Sequence, residues 1–284
     1  MTITPLRLLE LDFVQVFHQS KQLVLLQKSL DKTVKGKQSF LSMHALTYVV
    51  QGQQIIEAYE GEILSVQAGE IALIKKGLYT ITDLLAEKDD FKACLLFFSD
   101  EILREVLKLH DTKTTAIQSS FFKLKAPDYL AHFWKSVEQV HSSLLNTSPT
   151  FFDIKAWEVF SALISHDESG KTEAKLRGLL QAKERSLHKF MEENFDKALS
   201  IDDFAYLTGR SPASFRREFK LKFGSSPRKW IIRQRLEKAA QLLQKSKMSV
   251  AEVAQEVGYE STSHFIQGFK KQFGQTPRQL LNLS

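Results

Sequence analysis

The sequence predicts an α+β fold: a β-rich N-terminal part with helices behind it, then an all-α C-terminal part of two helix-turn-helix units joined by a long helix. Three observations carry this. Short runs of β-branched and aromatic residues fill about the first hundred positions, punctuated by Gly52, Gly61, Gly69 and Gly77. Apolar residues at helical spacing follow. The last third of the chain repeats itself.

The strand candidates are Leu23–Leu26, Ala45–Val50, Gln54–Tyr59, Glu62–Val66, Ile71–Ile74, Tyr79–Leu85 and Phe91–Phe98, at the spacing of a meander, sandwich or barrel. Helices are expected over Glu101–His110, Asp128–Leu145 and Asp153–Ser165. In the second, Leu130, Phe133, Val137, Val140 and Leu144 form one apolar stripe, which is either intramolecular core or a dimer seam. The polar stretch His166–Thr172 contains Gly170, so the expected division is a domain over 1–166, a linker and lead-in over 167–180, and a second domain over 181–284.

A chain of 284 residues has room for two cores, and 43% hydrophobic with 25% charged residues suits an ordinary soluble protein. Apolar runs such as Ala93–Phe98 fall far short of the ~20 residues of a membrane span. Met1–Glu10 lacks the basic and apolar regions of a secretion signal, so a cytoplasmic protein with no membrane partner is expected. The single cysteine, Cys94, excludes an intrachain disulfide and a cysteine-based zinc site. With no cation immediately flanking it, it reads as an inert buried strand thiol rather than a redox sensor. Charge is unevenly spread: residues 171–284 hold 22 Lys and Arg against 12 Asp and Glu, residues 1–170 hold 17 against 21. A basic C-terminal part suggests a nucleic-acid partner, and a motif supports it.

Ser211–Trp230 (SPASFRREFKLKFGSSPRKW) lies over Ser261–Leu280 (STSHFIQGFKKQFGQTPRQL) at an offset of 50, with Ser211/Ser261, Phe215/Phe265, Phe219/Phe269, Lys220/Lys270, Phe223/Phe273, Gly224/Gly274, Pro227/Pro277 and Arg228/Arg278 identical. Upstream, SIDDFAYLTG from Ser200 matches SVAEVAQEVG from Ser249 at an offset of 49, the slip falling in the turn between two helices. Ser200 with Asp203, and Ser249 with Glu252, have capping-box spacing. Ser211-Pro212, Ser226-Pro227 and Thr276-Pro277 place a hydroxyl before a proline at a helix start. Gly209 and Gly258 stop the first helix of each pair; Gly224 and Gly274 stop the second.

The second helix of such a pair is the one that enters a major groove. At 100° per residue Phe215, Phe219 and Phe223 share a buried face, whereas Ala213, Arg216, Arg217 and Lys220 share another. Arg is shaped for bidentate contact with guanine. The matching face of the second copy is Ser263, Ile266, Gln267 and Lys270, where Gln suits adenine and Ile a thymine methyl. Ala213, Arg216, Arg217, Ser263, Ile266 and Gln267 are therefore the candidates for base readout. Ser211, Lys220, Ser261 and Lys270 are candidates for phosphate contact. Pro227–Lys245 reads as one helix, with Trp230, Ile231, Leu236, Ala239, Ala240 and Leu243 inward and Arg228, Lys229, Arg233 and Arg235 mostly exposed. At ~1.5 Å per residue it spans just under ~30 Å. That is close to the ~34 Å between successive major-groove openings on one face of DNA.

From about Leu187 to Leu280 the chain resembles the DNA-binding domain of AraC/XylS-type regulators, most fully in MSVAEVAQEVGYESTSHFIQGFKKQFGQTPRQ. One departure is Gln267, where many members carry Arg. The stretches HALTYVVQGQQ and GEILSVQAGEIALIKKGLYTI are similar to the cupin-like jelly roll of the activators of type III secretion and other virulence genes. The resemblance implies a cupin-like β-barrel (jelly roll) sensing a small-molecule or protein effector. It further implies dimer contacts in the helices after the sheet, promoter DNA and RNA polymerase as partners, and activation of transcription.

Other readings fare worse. A metal-dependent cupin enzyme needs clustered ligands, commonly His-x-His with a carboxylate and a further His. Here the eight histidines are scattered, no His-x-His occurs, and only His44 lies within the sheet region. His44 reads as a core or pocket residue, and neither catalytic residues, a metal nor a cofactor is expected. An RNA-binding or architectural factor fits poorly, because the deep groove of A-form RNA does not admit these helices.

Overall fold

The structure is a computed structural model describing residues 2–86, 90–110, 114–143, 149–167, 169–181, 185–246 and 248–281. The chain divides into two compact units, Met1–Gln181 and Ala182–Ser284.

The first unit opens with β1 (Thr2–Thr4), β2 (Val14–Gln19), β3 (Leu23–Leu30), β4 (Val34–Leu41), β5 (His44–Gln51) and β6 (Gln53–Ala58). It continues with β7 (Ile63–Gln67), β8 (Glu70–Ile74), β9 (Gly77–Leu84), β10 (Phe91–Phe98), α1 (Asp100–Leu109) and β11 (Phe121–Lys125). Helices α2 (Asp128–Ser143), α3 (Pro149–His166) and α4 (Lys171–Leu179) complete it. One sheet runs β1-β4-β9-β6-β7 and the other β11-β8-β5-β10-β3-β2. Apart from the parallel β1–β4 pair, neighbours are antiparallel. The jelly roll thus takes the form of two open sheets packed as a sandwich.

The apolar runs of the central strands follow from burial on both faces. Val24 and Leu26 of β3 pack into the sandwich with Val49, Ile56, Val66 and Phe97. Leu23 and Leu25 point the other way, into a core shared with Leu103, Val106, Phe160 and Leu176 of the helices. A strand between two apolar layers loses its alternation, since both faces leave water. Leu130, Phe133 and Val137 of α2 lie in that same core, so this part of the stripe is intramolecular. Val140 is half-buried, and Leu144 lies outside the described residues.

Residues 167–180, expected as linker and lead-in, hold α4, whose Leu176 and Leu179 are fully buried in the first unit. The polarity before it is that of a helix start. Asp167 accepts from the Ser169 hydroxyl at 2.5 Å and from the amides of Thr172 at 2.6 Å and Ser169 at 3.0 Å; hydrogen bonds from Ser169 first, then Thr172, hold its carboxyl well below the usual range. Lys75 then donates to the Gly178 carbonyl at 3.3 Å, near the end of the helix.

Inside the sandwich, Lys28 of β3 pairs with Asp83 of β9, which also accepts from Gln54 Nε2 at 2.8 Å. Beside them is a cavity of about 50 Å³ lined by Leu8, Ser39, Leu41, Ile81 and Leu95. His44 is fully buried. Its Nδ1 accepts from the Lys76 amide at 3.1 Å, which leaves Nε2 to donate to Asp100 Oδ1 at 3.0 Å. His18, which falls outside the strand candidates, lies on β2 and stacks on Phe152 at 4.4 Å. Burial pushes the Cys94 thiol up to about 12, as an inert strand thiol requires. Among the described residues no group of three or more His, Cys, Asp or Glu is placed to hold a metal ion, and no helix is long and apolar enough to cross a membrane.

The second unit is all helical: α5 (Leu187–Asn194), α6 (Ile201–Leu207), α7 (Pro212–Phe223), α8 (Pro227–Lys245), α9 (Val250–Glu256), α10 (Thr262–Phe273) and α11 (Pro277–Leu281).

Candidate nucleic-acid interface

Both helix pairs begin on capping boxes. Ser200 Oγ accepts from the Asp203 amide at 3.1 Å while Asp203 accepts back from the Ser200 amide at 2.9 Å; Ser249 and Glu252 repeat the exchange. Each exchange satisfies two amides that a helix start would otherwise strand. Gly209 and Gly258 then turn the chain at φ +76° and +82°, in the left-handed region that favours glycine. The second helices start on hydroxyl caps. Ser211 Oγ accepts from the Ser214 amide at 3.2 Å, and Ser261 Oγ from the His264 amide at 3.3 Å.

Phenylalanines orient both second helices. Phe215, Phe219, Phe265 and Phe269 are fully buried. Phe219 packs on Trp230 of α8 at 5.6 Å between ring centres. The copies diverge at the next turn: Phe223 is half-buried between His188 and Trp230, whereas its counterpart Phe273 is exposed.

With the aromatic face fixed, the opposite face follows. Ala213, Arg216, Arg217 and Lys220 are all exposed on α7, as are Ser263, Gln267 and Lys270 on α10. Ile266 is half-buried against the core of the second pair, at the edge between core and exposed face. Ser211 is exposed and Ser261 half-buried at their caps. Arg216 Nη2 is 3.2 Å from Asp202 Oδ1 of α6, an exposed pair of small energetic worth. Asp202 is not among the sequence candidates; its place in the first turn of α6 puts it over the neighbouring helix.

Helix α8 has the expected bounds and the expected buried residues, with Ala240 half-buried. Arg228, Lys229 and Arg233 are exposed. Arg235 is not. Its Nε donates to Phe195 O at 2.7 Å, Nη2 to Lys197 O at 2.5 Å and Nη1 to Gly258 O at 2.8 Å. A signal for this is present in the sequence, since Ile231, Arg235 and Ala239 are spaced four apart and share one helix face.

Residues 204–282 match the family described as a helix-turn-helix domain, and residues 44–173 match the ExsA N-terminal regulatory domain. The virulence regulon transcriptional activator VirF of Yersinia enterocolitica is 40% identical over 104 residues, covering 37% of this chain and 38% of that protein. The HTH-type transcriptional regulator ExsA of Pseudomonas aeruginosa is 36% identical over 102 residues, 36% of this chain and 37% of its own. The chain thus matches less than two fifths of the length of these relatives. Among solved structures, ToxT from Vibrio cholerae O395 superposes with a TM-score of 0.43 at 12% identity, covering 92% of this chain and 98% of that one. An ExsA-type regulatory stretch followed by a helix-turn-helix stretch that holds both helix pairs is the arrangement that the resemblance to AraC/XylS-type regulators implies.

Proposed function

We propose that the chain is a sequence-specific DNA-binding transcription regulator, an activator, that inserts α7 and α10 into successive major grooves of promoter DNA. The observation that carries this is the exposed face Ala213, Arg216, Arg217 and Lys220, held outward by buried Phe215 and Phe219. Side chains there meet base edges, with Ser263, Ile266 and Gln267 doing so from α10. Lys220, Lys270 and the helix starts at Ser211 and Ser261 hold phosphates. The regulator acts in the cytoplasm, with RNA polymerase as its downstream partner, and as a homodimer or a monomer.

The first unit receives the cue, from a small molecule or a protein. The buried polar cluster of Lys28, Asp83 and Gln54 beside the sandwich cavity supports a sensing role, because such groups are retained in a core at an energetic cost.

The test is a titration of the purified chain into duplexes carrying a selected site or a scrambled one, over a range of salt. A specific site is expected to bind at least about a thousandfold tighter than the scrambled one. Equal affinities with a steep salt slope would leave only non-specific phosphate binding.

A further inference from the structure

We infer that Arg235 sets the spacing at which the two half-sites are read, without touching DNA; this rests on the proposal that α7 and α10 share one duplex. Helix α8 alone fixes a length. It does not fix how each helix pair tilts or rotates at its ends, beyond Gly224–Ser226 on one side and Ser246 on the other. Angular freedom of that kind would let the second reading helix meet the groove at several registers.

Arg235 removes it from the middle of the strut. Phe195 and Lys197 belong to the segment that leads into the first pair, and Gly258 is the turn inside the second. One planar guanidinium therefore bonds the lead-in of the first pair and the turn of the second at once, and its rigid fork makes the three bonds mutually dependent. Two further contacts lie beside it. Lys238, on the same side of α8, reaches Asp196 Oδ2 at 2.6 Å. A Cβ on Gly258 would sit 2.3 Å from Asp196 O, so the turn of the second pair lies directly on the backbone that leads into the first. Of Arg235 and Lys238, it is Arg235 that bonds both the lead-in of the first pair and the turn of the second.

The experiment uses the full chain and a set of duplexes whose half-sites are about one helical turn, 10–10.5 bp, apart and are then moved by single base pairs. Wild type is expected to lose about tenfold or more per base pair of displacement, the scale of a mismatch. Arg235→Ala is expected to flatten that profile while keeping base preference within each half-site, and Arg235→Lys to fall between. Lys238→Ala, which leaves the three carbonyl bonds in place, should keep the wild-type profile. If Arg235→Ala is too unstable to assay, Arg235→Lys against Lys238→Ala decides the matter. A folded Arg235 variant with an unchanged steep profile would overturn the inference. A wild-type chain that binds specifically but is indifferent to spacing would strike down the two-groove proposal, and this inference with it.

Discussion

Arg210 grips Glu218 across the first helix pair, Nε to Oε2 at 2.6 Å and Nη2 to Oε1 at 3.0 Å, and the second copy replaces this contact with Tyr259 lying over Gly268. The two copies hold turn to helix by different chemistry: an ion pair in one, an aromatic ring filling the space over a glycine in the other.

That difference predicts a localised acid sensitivity. Hydrogen bonds from Arg210 first, then Lys222, bring the Glu218 carboxyl down from 4.5 to about 2. A depressed carboxyl adds stability that is present above 4.5 and lost as the pH falls through about 2. Urea midpoints of wild type should therefore drop more steeply over that window than those of Glu218→Gln. Hydrogen exchange should place the loss in α6 and α7 rather than α9 and α10. Parallel pH profiles for the two proteins would contradict this.

The buried and exposed faces of α7 give a second contrast. Phe219→Ala empties a fully buried ring site and is expected to cost ~3–5 kcal/mol. Leu221→Ala, two residues on at 80% exposure, should stay within about 0.5 kcal/mol. Chemical denaturation of both variants checks the assignment; similar losses would mean that Phe219 does not lie on the buried face of α7.

Two glycines with similar backbones separate conformational cost from crowding. Gly224 at φ +66° has nothing within 4 Å of an added Cβ, so Gly224→Ala should lose only about 1 kcal/mol, the left-handed penalty. Gly258→Ala adds a collision with Asp196 O to the same penalty, and a loss above roughly 2 kcal/mol is expected. Thermal melts of the pair measure the difference.

Much of this fold is legible in the sequence, and the exceptions share a cause. The bounds of α8, and both helix pairs, can be read because Ser-Pro starts, capping boxes and glycine stops are local chemistry, although Ser226 makes no side-chain cap bond at the start of α8, where Pro227 already presets the first turn. Strand β4 cannot, since Val34–Gln38 mixes Lys and Gly and its apolar end, Phe40 and Leu41, is short. The polar run before α4 reads as a linker because a helix start and a loop use the same residues. Arg235 goes to solvent by residue type; only the tertiary fold reveals carbonyls able to satisfy a half-buried guanidinium.

On the reading face, Asp202 and Arg217 should act in opposite directions. Asp202→Asn removes an anion beside Arg216 and is expected to raise DNA affinity at low salt. Arg217→Ala should cost ~1–3 kcal/mol at the selected site and relax preference at one position. Anisotropy titrations against single-base variants of the site separate the two; uniform weakening by Arg217→Ala would reduce it to a phosphate contact.

The most direct test of the central claim is selection of binding sites from a random duplex pool by the purified full chain. A bipartite motif is expected, its two halves about one helical turn apart. The half assigned to α7 should be the more sharply defined, because α7 exposes Arg216 and Arg217 while α10 offers Ser263, Ile266 and Gln267. A single short motif, or a pool left unenriched, would contradict it.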